Sequence, residues 1–133
     1  IAATDAIAAH ANPGDAILLD CLTLWVSNAI LHDLGSAAES GNVAPALWAA
    51  IEAALVEEAL AAIVVARERD CALVLVSNEV GMGVVPAFPL GRRFQDILGR
   101  VNQAVAGASD TVLLMIAGIP VDLRLLADAG LGP

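Results

Sequence analysis

Two stretches decide the fold: Ala16-Ile17-Leu18-Leu19-Asp20 and Ala72-Leu73-Val74-Leu75-Val76-Ser77-Asn78-Glu79. Each opens on a short apolar run and closes on polar residues. A continuous run of this length, without polar alternation, predicts a strand buried on both faces, as in a parallel sheet. Before the first run, Asn12-Pro13-Gly14 breaks an Ala-rich helix expected over residues 2–11. After it, residues 22–34 read as a helix that stops at Gly35. Residues 36–43 are a polar loop, and Pro45 suits the first turn of a long helix. Leu47, Ile51, Leu55, Leu60, Ile63 and Val64 recur there at helical spacing, and Arg67 to Asp70 closes it in charge. Beyond the second strand, residues 81–89 form a loop rich in Gly and Pro. Residues 92–108 place Phe94, Ile97, Leu98, Val101 and Val105 on one helical face, and residues 111–117 predict a third apolar strand. Buried strands alternating with helices argue for one α/β domain, residues 1–133. Its expected form is three-layer, with a mainly parallel sheet and right-handed crossovers.

Composition narrows the function. The 133 residues suffice for one core. Six basic residues stand against fifteen acidic ones, a formal charge of −9, and all six are Arg. A nucleic-acid partner needs a basic face, so the charge argues against that class. Without Lys the chain also holds no GxxxxGK[ST] phosphate loop. Apolar residues make up 59%, but 28 of them are Ala, and Glu52, Glu57 and Glu58 interrupt the longest apolar helix. No membrane span is therefore expected. No basic segment followed by an apolar run opens the chain, so it is expected in the cytoplasm without a secretory leader. Its first residue, Ile1, points to a processed chain, a trimmed one or a fragment. Cys21 and Cys71 fit no metal-ligand spacing and read as small buried hydrophobes, with a disulfide between them left open.

Chemistry is expected outside the carboxyl ends of the strands, where open α/β sheets bind ligands. Asp20 has two readings there: a carboxylate that helps hold Mg²⁺ beside nucleotide phosphates, often through water, or a helix N-cap. Glu79 reads as a general base, a metal or substrate contact, or a carboxylate satisfied by turn amides. Asn78 could orient a phosphate or stabilise its loop. Gly81 and Gly83 permit close backbone approach to a ligand, or serve a plain turn. Arg92 and Arg93 open the predicted helix, where positive charge opposes the dipole; they suit phosphate or a solvated face. Arg100, about two turns on, is placed to share that face. His10 and His32 have no triad-like or metal-ligand neighbours and read as surface or satisfied histidines. Trp25 and Trp48 fit apolar helix faces.

Several segments together resemble one family. They are residues 18–28, LLDCLTLWVSN; residues 74–86, VLVSNEVGMGVVP; residues 89–94, PLGRRF, through Asp96; and residues 99–103, GRVNQ. In this order, over roughly residues 14–120, the chain resembles the bifunctional adenosylcobinamide kinase/adenosylcobinamide-phosphate guanylyltransferases of cobalamin synthesis. The resemblance implies a RecA-like P-loop NTPase fold. It also implies an enzyme that phosphorylates the aminopropanol hydroxyl of adenosylcobinamide and then adds GMP, giving adenosyl-GDP-cobinamide. It implies GTP (or ATP for the kinase step), Mg²⁺, a guanylylated histidine and a homotrimer with active sites near subunit contacts. The match makes Asp20 an acidic GTP/Mg²⁺-site residue, with Asn78, Glu79, Arg92 and Arg93 as further nucleotide-site candidates.

The departures from the family pattern are specific. The family's Lys-bearing phosphate loop and its guanylylated histidine lie N-terminal to everything matched here, in roughly 60 residues or two strand–helix units. Neither His10 nor His32 matches that histidine. Ala87 and Phe88 replace a Glu-Asn pair between the two prolines, and Asp122 stands where the family tends to be basic. The expectation is the C-terminal two-thirds of such a domain, unable alone to turn over cobinamide or to bind GTP tightly. The alternatives are a non-catalytic remnant or assembly module of the same fold, and an unrelated P-loop ATPase. An isolated sheet of this kind would also expose an edge and apolar surface prone to aggregation.

Overall fold

In a computed structural model that describes residues 2–35, 37 and 43–131, the two decisive runs form adjacent strands. Strand β1 is Ala16–Asp20 and β2 is Ala72–Val76. They pair in parallel with Ala16 opposite Ala72 and Asp20 opposite Val76. Helix α1 (Ala3–His10) precedes β1. Helices α2 (Leu22–Leu34) and α3 (Pro45–Glu68) connect β1 to β2, with Pro45 in the first turn of α3. Most of the predicted loop over residues 36–43 lies outside the described residues, as do Ile1 and the last two residues of the tail. After β2 come a 3-10 turn at Val80–Met82 and helix α4 (Pro89–Ala108).

The core is a three-helix seam. Leu22, Val26, Ile30 and Leu34 of α2 meet Ile51, Leu55 and Ile63 of α3 and Ile97, Leu98, Val101 and Val105 of α4. These positions repeat every three or four residues, so each helix presents one continuous apolar stripe. Trp25, Trp48 and Phe94 pack against the seam, half buried. Leu19, Leu73 and Leu75 join it from the strands. A smaller cluster sets Ile7 of α1 against Ala62 and Ala66 of α3.

The structure corrects several expectations. The parallel strands are covered on one face only among the described residues. Their residues alternate, and Leu18, Val74 and Val76 are 64%, 55% and 38% exposed. The helices reach only the Ile17–Leu19–Leu73–Leu75 side, because side chains of a strand alternate and one helical layer covers one face. The third predicted strand does not extend the parallel pair. It forms β3 (Leu113–Ile116), which pairs antiparallel with β4 (Ile119–Asp122). Local turn chemistry explains this. Ala117 and Gly118 both have positive φ, 51° and 79°, as a tight two-residue hairpin requires.

Helix α4 starts at Pro89, three residues before the predicted start. Proline fits the first helical position because its missing N–H would be unbonded there anyway. Arg92 and Arg93 therefore sit further from the positive end than expected. Asp122, out of place in the family pattern, has a structural task. Its Oδ1 accepts from Arg124 N at 2.9 Å and Leu125 N at 3.2 Å, capping a final helical turn. Cys21 and Cys71 are free thiols and only half buried, not core residues.

Candidate active site

The carboxyl ends of β1 and β2 lie side by side, so Asp20 and the Ser77-Asn78-Glu79 turn emerge together. Asp20 is exposed, and its carboxylate has no hydrogen-bond partner among the described residues. The N-cap of α2 is Cys21, without a side-chain cap bond, so the capping role open to Asp20 is not the one it plays. The Asp20 carboxylate is thus left open to a ligand or to water.

The turn beside it is held from two helices. Thr23, in the first turn of α2, accepts at Oγ1 from Asn78 N (3.2 Å) and from Asn78 Nδ2 (2.8 Å). Asn102 of α4 accepts at Oδ1 from Ser77 Oγ (2.6 Å), and its Nδ2 donates to Asn78 O (3.2 Å) and Glu79 Oε1 (2.9 Å). The orientation of that amide is forced: a carbonyl and a carboxylate only accept, so Nδ2 must face them. Glu79 is thereby tied at one oxygen, and Oε2 has no partner among the described residues. Asn102 can reach the turn because it follows Val101 on the flank of the buried stripe of α4.

Arg92 is engaged elsewhere. Its Nη1 donates to Pro86 O (2.8 Å) and Ala87 O (2.9 Å), clipping the loop to α4. Gly91 lets that loop come close, since a Cβ there would lie 2.8 Å from Pro86 Cβ. Gln95 holds the start of the same loop through Val80 O at 2.8 Å. Arg93 is exposed and unpaired among the described residues. The structure therefore gathers Asp20, Asn78 and Glu79, whereas Arg92 belongs to the loop backbone. His10 ends α1, and His32 pairs with Asp33 at 3.0 Å near the end of α2; both are exposed and away from the strand ends. Thr23 and Asn102 are site residues that residue-by-residue reading passed over. The signal for Asn102 was an amide set one position beyond an apolar helical stripe.

No group of three or more His, Cys, Asp or Glu able to hold a metal occurs among the described residues. That donor set suits a hard cation only in the way Mg²⁺ is commonly held, by one or two carboxylates with waters and substrate phosphates.

A model of cobinamide kinase/cobinamide phosphate guanyltransferases matches residues 2–123, spanning both strands, the clamped turn and α4. The chain belongs to that cobinamide kinase/guanyltransferase family. It is 44% identical over 120 residues to the bifunctional adenosylcobalamin biosynthesis protein CobU of Salmonella typhimurium, covering 89% of this chain and 63% of that one. The Escherichia coli CobU is 41% identical over the same shares. CobP of Pseudomonas aeruginosa is 36% identical over 115 residues, 86% of this chain and 57% of its own. This family member thus spans under two-thirds of the length of the curated relatives it matches. Among its described residues no helix is long and apolar enough to cross a membrane.

Proposed function

We propose that the chain supplies the acidic nucleotide-site residue and the acceptor-side turn of a cobinamide kinase and guanylyltransferase. In this reading the reaction takes the aminopropanol hydroxyl of adenosylcobinamide as first acceptor. Its oxygen attacks the terminal phosphorus of GTP or ATP, the nucleoside diphosphate leaves, and the hydroxyl proton passes to a base. The new phosphate then receives GMP from GTP, by way of a guanylylated histidine, with release of pyrophosphate. The reading rests on one observation: an unpartnered Asp20 carboxylate beside a Ser77-Asn78-Glu79 turn clamped by Thr23 and Asn102.

Each residue has a definite task. Asp20 holds Mg²⁺, through water where the geometry asks for it, and that ion neutralises phosphate charge when bound. Glu79, fixed at Oε1 and open at Oε2, accepts the acceptor's proton or orients its hydroxyl. Asn78 presents its turn to the phosphates, and Arg93 is the cation free to meet them. Arg92 acts on the same side only by shaping the loop. The remaining requirements are a phosphate-loop lysine and a histidine nucleophile. The 133 residues contain no Lys and place neither His at the strand ends. Turnover in this reading therefore needs a lysine and a histidine in addition to these residues, in a single RecA-like domain that is three-layered and cytoplasmic and assembles as a homotrimer.

The test is a chimera in which the part of the Salmonella relative that this chain does not cover is joined to it. Cobinamide phosphorylation and guanylylation are expected from the chimera. Asp20→Asn should lower both by roughly 10²-fold, the scale of losing one preorganised electrostatic contact, with little change in melting temperature. A fully active Asp20→Asn chimera would overturn the assignment. Glu79→Gln should depress the kinase step more than the second transfer.

A further inference from the structure

One side chain, that of Asn102, bonds all three residues of the Ser77-Asn78-Glu79 turn, and the bonds differ in what they can do. Asn102 Oδ1 accepts from Ser77 Oγ at 2.6 Å, while Nδ2 donates to Asn78 O at 3.2 Å and to Glu79 Oε1 at 2.9 Å. The bond to Asn78 O holds the backbone of the turn. The bond to Glu79 holds only a side chain. Thr23 already ties Asn78 from α2, through both its N–H and its Nδ2. The backbone is therefore fixed without help from the carboxylate.

Two observations indicate that the Glu79 carboxylate is aimed rather than used to build the turn. Glu79 is the N-cap residue of the 3-10 turn at Val80–Met82, yet its side chain caps none of that turn's amides. Asn102 is instead its one hydrogen-bond partner among the described residues. That bond is exposed, and an exposed contact of a charged group contributes little to stability. The second observation concerns the helix. Asn102 lies inside the 20-residue α4, where Val101 and Val105 are buried. Asparagine is a poor helix former, because its side chain competes for backbone groups. Here all three of its side-chain bonds cross to the turn.

We propose that Asn102 is a positioning residue for the phosphorylation step: by binding Oε1 of Glu79 it turns Oε2 toward the acceptor hydroxyl. The inference rests on the function proposed above and adds the residue that orients its base. The amide is locked in one orientation. A flip would bring Oδ1 against Glu79 Oε1 and Asn78 O, both acceptors, and would lose the Ser77 hydroxyl. With Oε1 occupied, the proton of the acceptor hydroxyl passes to Oε2 as its oxygen attacks phosphorus. The nucleoside diphosphate leaves with the electron pair of the broken bond. Asn102 touches none of the reacting atoms and acts through Glu79. The second transfer has a phosphate anion as acceptor, so no hydroxyl proton has to be removed and this orientation matters less.

The informative change is Asn102→Asp, which keeps the shape and replaces the donor by an acceptor. In the chimera described above it should lower kcat for cobinamide phosphorylation by roughly tenfold or more, with KM for cobinamide held within about twofold. Guanylylation should fall far less. Combined with Glu79→Gln it should cost no further kcat, because the group it orients is already gone. In the chain itself, Asn102→Asp should lower Tm by about 3–6 °C. The double variant Asn102→Asp/Glu79→Gln should recover much of that loss, since the new amide at position 79 can donate to the new carboxylate at position 102. Recovered stability without recovered phosphorylation separates positioning from scaffolding. Full kinase kcat in Asn102→Asp overturns the inference, as does a loss of both transfers in parallel with Tm. Additive kcat losses in the double variant also overturn it. A fully active Glu79→Gln chimera is a different failure: it overturns the task given to Glu79 above, and this inference with it.

Discussion

The two faces of the β1–β2 pair are built from nearly the same residue types and have opposite fates. Ile17, Leu19, Leu73 and Leu75 face the helices and pack. Leu18, Val74 and Val76 face the other way and stay exposed, Leu18 by 64%. The difference teaches that an apolar run states a demand for cover without saying which neighbour meets it. Within the described residues α2, α3 and α4 meet it on one side.

Mutations should separate the faces, and the largest effect belongs to the seam behind the covered one. Leu98 is fully buried between the helices. Leu98→Ala should cost about 2–5 kcal/mol of unfolding free energy in urea titration, because the cavity adds to the lost transfer energy. Leu75→Ala, half buried on the covered face, should cost about 1–2 kcal/mol by the same measurement, in proportion to the smaller apolar area it hides. Leu18→Thr on the open face should stay within about 0.5 kcal/mol. Its effect should appear in light scattering instead, as less self-association, since it shrinks an exposed apolar patch. A cost at Leu18 equal to that at Leu75 would break the comparison and mean that the outer face is covered in solution.

Much of this was legible. Strand β2 runs over residues 72–76 as its composition predicts, because five apolar, largely β-branched or Leu residues between turn signals leave few alternatives. Helix α2 ends at Gly35 as expected, and α3 begins at Pro45. Asp20, Asn78 and Glu79 were readable as a group because strand ends carry ligand chemistry in this class of fold. Other features were not legible. The pairing of β3 turned on the Ala117-Gly118 hairpin, a local turn that competes with joining a distant parallel strand. Helix α4 begins at Pro89 rather than at Arg92, because proline fits the first helical position ahead of the apolar stripe that defines the helix in the sequence. Thr23 and Asn102 reach Asn78 across 55 and 24 positions of sequence, and no periodicity within either helix encodes that meeting.

By itself, the sequence determined most of the strand and helix segments, which stripes are apolar, an acidic balance that argues against a nucleic-acid partner, and the family resemblance. These follow from short-range sterics, hydrophobic periodicity and charge, all of which act within one element. Tertiary structure alone decided which sheet face is covered, which carboxylate stays unpartnered, and that Asn102 and Thr23 clamp the turn beside Asp20. Those outcomes depend on side chains far apart in sequence meeting in three dimensions. The packing of α2, α3 and α4 sets those distances, and no local preference can.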